Sequence, residues 1–339
     1  GDPHSPRHGF FHAHAGWFTN YQPPPEYKSR YSADPMVRFF DRTHIHWALL
    51  GGLLPFLLGA LLAHPGSFSL WGGFTGFVWG GATRLCLASH ALWLGGSYGH
   101  RWGHRSFETP DDSRNSFLLS LLLLGDGWHN NHHAAPRAAN LDAHPWQIDL
   151  LGLCLRVLSF FGLIRSMRWL GRADWQARRE ALNPPVAPAP LPPFMAMRAP
   201  RVRKALRFFI ALQTLGGAVA LGYIALGKAG KLEFIVFVVF HLLAYLGIVL
   251  GYHRMLCHRA FTPHPAVKAI LLYLGALPFL ATPSEFVAQH LAHHAHADGP
   301  RDPHSTHHGL FHAHLGWILS DREVTVRKPA WLRRDPMVA

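Results

Sequence analysis

The chain has 339 residues, 49% of them apolar and 13% aromatic, enough for one large domain or two modest ones. A formal charge of +13 invites a nucleic-acid reading, but Arg198, Arg201, Arg203, Lys204 and Arg207 flank an apolar segment. Such a basic skirt suits a cytoplasmic membrane surface or an anionic head group, and no nucleic-acid partner is expected. Cys86, Cys154 and Cys257 show no paired spacing, so neither a disulfide framework nor a thiolate metal site is indicated.

In chain order, four apolar stretches read as membrane spans, each near the roughly 20 residues needed to cross the hydrocarbon layer. They run from about Trp47 to Ala63, Phe68 to Leu94, Leu206 to Leu226 and Leu232 to Tyr252. Tight turns at His64-Pro65-Gly66-Ser67 and Gly227-Lys228-Ala229-Gly230-Lys231 fold them into two hairpins. Arg38, Arg42 and the basic cluster precede the hairpins, which places both mouths on the cytoplasmic side. Arg84 inside the second stretch is expected near the interface or facing a polar interior. Phe117–Leu124, Leu150–Ile164 and Ile270–Leu280 are too short or interrupted to span, and Arg156, Arg165 and Arg168 suit an interfacial amphipathic helix.

The expected fold is an all-α membrane protein: four transmembrane helices in two hairpins beneath a cytoplasmic histidine-rich cap. A Pro/Ala segment, 183–197, divides it into units 1–182 and 198–339. No secretory leader is read, and a start at Gly1 instead of Met points to a missing native start. A segment also recurs: Asp2-Pro3-His4-Ser5 through Gly16-Trp17 returns as Asp302-Pro303-His304-Ser305 through Gly316-Trp317. Asp34-Pro35-Met36-Val37 returns as Asp335-Pro336-Met337-Val338, as though the chain were cut from a tandem pair.

The chain holds 27 histidines, and imidazole is a common ligand for iron, zinc and copper. His290, His293 and His294 stand at i, i+3, i+4, and His129, His132 and His133 repeat that spacing. On a helix these offsets gather three imidazoles on one face. His253 and His258, an i, i+5 pair that diverges around a regular helix, are expected where the fourth span ends. In so histidine-rich a chain one cluster alone could be surface polarity, but three at matched depth favour a metal site. His44, His46, His64, His241, His264, His8, His104 and His307 are read as incidental. Zinc sites usually stop at four ligands, so eight or more imidazoles imply two metals.

At these residues the chain resembles the membrane acyl-CoA desaturases of the stearoyl-CoA 9-desaturase type. The family's first box is similar to His253-Arg254-Met255-Leu256-Cys257-His258-Arg259-Ala260-Phe261. Its second is similar to His290-Leu291-Ala292-His293-His294 followed by Asp302-Pro303-His304. Its third is similar to Gly125-Asp126-Gly127-Trp128-His129-Asn130-Asn131-His132-His133, with Asp126 where Glu is usual. The run Phe107 to Asn115 also matches, and by it His100 falls on the family's additional ligand. Gly96 stands where the family has an Asn supporting a metal-bound water. Family order would run from about Arg198 to the chain end and then from about Val37 to Trp175, so the halves stand in exchanged order. One chain, or two chains exchanging halves, could complete the site.

The resemblance implies two iron ions held by His253, His258, His290, His293, His294, His100, His129, His132 and His133. Asp302, Asp126 and Asn131 are expected to orient imidazole N–H groups. It further implies insertion of a cis double bond into a saturated acyl chain, as acyl-CoA or acyl lipid, using O2 and an external donor such as ferredoxin or cytochrome b5. The rival readings are a histidine-box membrane hydroxylase, a histidine-rich zinc carrier and an inactive fragment of a tandem pair.

Overall fold

The computed structural model describes residues 33–183, 200–278, 281–298, 309, 310 and 314. The linker from Pro184, the basic side chains between 198 and 207, Asp302, the repeat segment 2–17 and most of its second copy lie outside them.

Helix α1 (Pro35–Leu62) starts where the Asp34 carboxylate accepts the Met36 and Val37 N–H groups, at 3.1 and 3.2 Å, with Pro35 in the first turn. After a turn, α2 (Leu70–Gly76), a π-helical segment π1 (Phe77–Thr83) and α3 (Arg84–Ser97) run as one rod. The hairpin closes backbone to backbone. A Cβ on Gly59 would stand 2.2 Å from the Gly72 carbonyl oxygen, and one on Gly76 2.2 Å from that of Pro55. Small residues four apart on each helix allow this approach, as in membrane helix pairs.

The second hairpin is α8 (Pro200–Ala225) with α9 (Lys231–Leu246), which continues as a π-helix, π2 (Gly247–Cys257). Its helices pack on π1 and α3, where Thr83 donates to the Gly216 carbonyl at 3.2 Å and Ser89 to Gln213 at 3.1 Å. Among the described residues two helical runs, Pro35–Leu62 and Lys231–Cys257, are long and apolar enough to cross a membrane. They expose Leu49, Leu53, Leu61, Phe234 and Ile235, a surface that favours lipid over water. Arg84 is wholly buried and donates to the Gly51 carbonyl at 3.2 Å, while its Nε and Nη1 meet no partner among the described residues.

The cap is built from α4 (Phe117–Leu122), α5 (His129–Ala134), α6 (Leu150–Phe160), α7 (Arg172–Ala181), α10 (Pro265–Ala276) and α11 (Pro283–His296). Helices α4 and α6 leave Leu118, Leu121, Leu153, Val157 and Phe160 exposed, an apolar side fit to lie in a membrane interface. Strand β1 (Ile164–Arg165) pairs antiparallel with β2 (Thr262–Pro263), joining the two halves of the chain. One core serves both halves, with Val37, Leu119 and Leu151 packed in the same cluster as Tyr245, Met255, Leu272 and Val287.

Candidate metal centre

Helix α5 has six residues and no cap of its own, too short to be stable without help. Asn115 supplies the cap from another segment: its Oδ1 accepts the N–H groups of Asn130 and Asn131 at 3.0 and 3.1 Å. Asn130 in turn accepts the Ser106 and Phe107 N–H groups, both at 2.8 Å. Asn131 accepts from Asn115 at 2.7 Å and donates to the Leu141 carbonyl and Gln147, at 2.7 and 2.8 Å. Asn131 therefore steadies the backbone around the histidines and does not meet an imidazole, unlike the role expected from its position. This buried amide network fixes the face carrying His129, His132 and His133.

The first box rides on π2. A π-helix closes i to i+5 hydrogen bonds, and the His258 N–H lies 3.2 Å from the His253 carbonyl. The wider turn brings two side chains that a regular helix would splay to ring centroids 4.8 Å apart. His258 is also the residue that ends the helix. On α11, His290 and His294 face each other with Nε2 atoms 2.9 Å apart.

These segments bring the nine expected ligands into two groups, one of His132, His253, His258, His290 and His294, the other of His100, His129, His133 and His293. Within each group the ligand atoms lie within 4.8 Å of one another. The groups adjoin, with the His133 and His294 rings 4.5 Å apart. Each takes residues from both halves of the chain.

The chemistry of the donors fits metal ions. In the larger group Nε2 atoms meet in series: His253 to His132 at 3.2 Å, His132 to His294 at 2.8 Å, His294 to His290 at 2.9 Å and His290 to His258 at 2.7 Å. In the smaller, the Nε2 of His129 lies 2.9 Å from that of His100 and 3.1 Å from that of His133. The Nδ1 of His100 is 2.5 Å from Asp298 and that of His133 is 2.8 Å from Asp111. With those Nδ1 protons donated to carboxylates, both Nε2 atoms present bare lone pairs to His129, which has at most one N–H to offer. A cation at the meeting point satisfies all three. Burial foremost, then neighbouring imidazoles, holds His129, His132, His290 and His294 well below the usual histidine range, in the neutral form that ligates.

The Asp126 carboxylate lies 3.1 Å from His253 Nδ1. Burial alone would raise the Asp111 and Asp126 carboxyls, but His133 beside one and His253 with Arg254 beside the other hold them below their ordinary value. Asp302 lies outside the described residues. Sequence reasoning missed Asp111 and Asp298 as imidazole partners; only the position of Asp111 in the matching 107–115 run hinted at it. It also missed Arg254, which is buried and donates to Asp149 and Asp126. Beside Gly96, Ser97 lies 3.1 Å from His314, which meets His90 at 3.3 Å.

Residues 1–152 match the family model described as fatty acid desaturase. The chain is 35% identical to the acyl-CoA C20 Delta5-desaturase of Anemone leveillei, over 49% of this chain and 51% of that protein. It is 31% identical to the sn-1 stearoyl-lipid 9-desaturase of Anabaena variabilis, over 49% of this chain and 58% of that one. It is likewise 31% identical to the icosanoyl-CoA 5-desaturase of Limnanthes douglasii, over 49% and 45%. The chain spans about half the length of the curated relatives it matches. No solved structure matches it. Residues 1–152 are thus similar to a fatty acid desaturase domain.

Proposed function

We propose that the chain is an O2-dependent di-iron desaturase that introduces a cis double bond into a saturated fatty acyl chain carried by coenzyme A or a lipid. The observation that carries this reading is the sorting of nine imidazoles into adjoining groups of five and four, each drawn from both halves. Bound irons would supply the oxidising power for unactivated C–H bonds, which no side chain has. The larger group would hold one ion and the smaller the other. Asp126, Asp111 and Asp298 keep the protons of His253, His133 and His100 on Nδ1, so that each Nε2 would be free to hold a metal. Burial of His132, His133, His100 and His293 would keep bulk water from ions held there.

In this reading the four helical rods are four spans, the cap lies on the cytoplasmic side and the acyl chain enters among the rods. The exchanged halves form one site in a single chain, and ferredoxin or cytochrome b5 supplies electrons. Expression in a desaturase-deficient host, with mass spectrometry of its lipids, tests the activity. New alkenes and about two irons per chain are expected; alcohols in their place, or zinc alone, would overturn the reading.

A further inference from the structure

Trp146 stands on the cap with 53% of its surface exposed. Its ring meets Trp128 edge-on, centroids 5.2 Å apart at 88°. Trp128 is buried, anchored by a hydrogen bond of 2.9 Å from its Nε1 to the Ile148 carbonyl, and His129 is the next residue. A line of touching rings and one peptide link thus runs from water to the four-histidine group.

The surroundings of Trp146 are basic and aromatic on one side, with the exposed Ile148 beside them. The His104 ring is 5.6 Å away, and His144 stacks on the indole at 6.2 Å and 12°. The exposed Arg179 guanidinium lies 3.3 Å from His144 Nε2, and Arg114 donates to the Gly103 carbonyl beside His104 at 3.4 Å. Arg101 and Trp102 are exposed on the same loop, while the acidic Glu108 faces Arg105 at 3.7 Å. A half-exposed indole within a cationic rim suits a brief encounter with an acidic protein, because opposite charge speeds docking without demanding a large interface.

We propose that this patch receives a small acidic one-electron carrier protein, and that Trp146 and Trp128 conduct its electron to the metal group through His129. The inference rests on the desaturase reading above. Tunnelling falls steeply with distance and is carried better by packed rings than across a gap, so neither indole need be oxidised or reduced in net. Each docking oxidises one reduced carrier by one electron and lowers one metal ion by one oxidation state. Two dockings supply the two electrons that, with two protons and O2, convert –CH2–CH2– to –CH=CH– and two waters.

The test uses the full chain in detergent and reduced plant-type ferredoxin, with ferredoxin oxidation followed by rapid mixing. Trp146→Ala should slow transfer at saturating ferredoxin about tenfold, with Trp146→Phe restoring most of it and metal content unchanged. Arg179→Glu should weaken ferredoxin binding to the metal-free chain about tenfold at low salt, a difference that vanishes at high salt. An unaltered transfer rate in Trp146→Ala, unaltered binding in Arg179→Glu, or no binding by the unmodified chain overturns the proposal. Dithionite reduction separates the two ideas. Alkene formed by the chemically reduced chain upholds the desaturase reading even if docking fails, whereas its absence sinks both.

Discussion

Arg254 donates to both carboxylate oxygens of Asp149, at 2.9 and 3.0 Å, across 105 residues of chain. The same guanidinium reaches Asp126 at 3.0 Å and the Ala139 carbonyl at 2.8 Å. Asp149 also accepts the N–H groups of Leu141 and Gly152, both at 2.9 Å. Gly125, at φ +118°, must lack a Cβ because one would stand 2.3 Å from that carboxylate. Arg254→Met leaves two buried carboxylates without their cation and should cost ~3–5 kcal/mol. Thermal unfolding in detergent checks this; a negligible change would show that the halves are held elsewhere.

His132 and His129 sit three residues apart yet serve different groups. Changing either to Ala should abolish unsaturated product and lower bound iron from about two to about one per chain, without preventing membrane insertion. A fully loaded, active His129→Ala variant would refute the assignment.

Asp111 meets His133 Nδ1 and also accepts from Ser113, so Asp111→Asn keeps the shape while losing the charge. Metal affinity of the four-histidine group should fall about 10- to 100-fold, the usual penalty for removing an orienting partner. Metal titration of that variant beside Asp126→Asn, which touches the other group, would separate the two effects.

Acid should destabilise the metal-free chain. Burial, then neighbouring imidazoles, depresses His129, His132, His290 and His294 well below 6.5. Between that value and the lower folded one the unfolded chain binds more protons, so stability falls as pH drops through 6.5 and keeps falling. The depressed carboxyls of Asp111 and Asp126 add a separate loss only near and below 3.8. Denaturation midpoints at about pH 7.5 and 5.5 should differ, the acidic one lower; equal midpoints would contradict the burial of these rings.

Gly59→Leu should pry the first hairpin apart, since its Cβ meets the Gly72 carbonyl oxygen at 2.2 Å. Gly222→Ala, with nothing within 4 Å of the added carbon, is the matched control. Folded yield in membranes should drop only for the first.

What was readable in the sequence followed from local spacing. The i, i+3, i+4 histidines survive as helical faces on α5 and α11 because that pattern depends only on helix pitch. Apolar length gave the helical hairpins, and Asp126 was flagged by its box. The π-helix of 247–257 was not readable, since no local residue pattern encodes an i to i+5 ladder. Nor were Asp298 for His100, 198 residues away, or Asn115 as the cap of α5, because both depend on tertiary packing.

The two groups are reciprocal: His132 is the lone member from the first half in one, and His293 the lone member from the second half in the other. Neither half by itself supplies every histidine of either group. The second half brings four of the five in the larger group, while the smaller group needs three from the first half, so a full load of metal would be taken up only once the halves join. A complete metal load would thereby act as a checkpoint on assembly, with a misdocked chain left short of it.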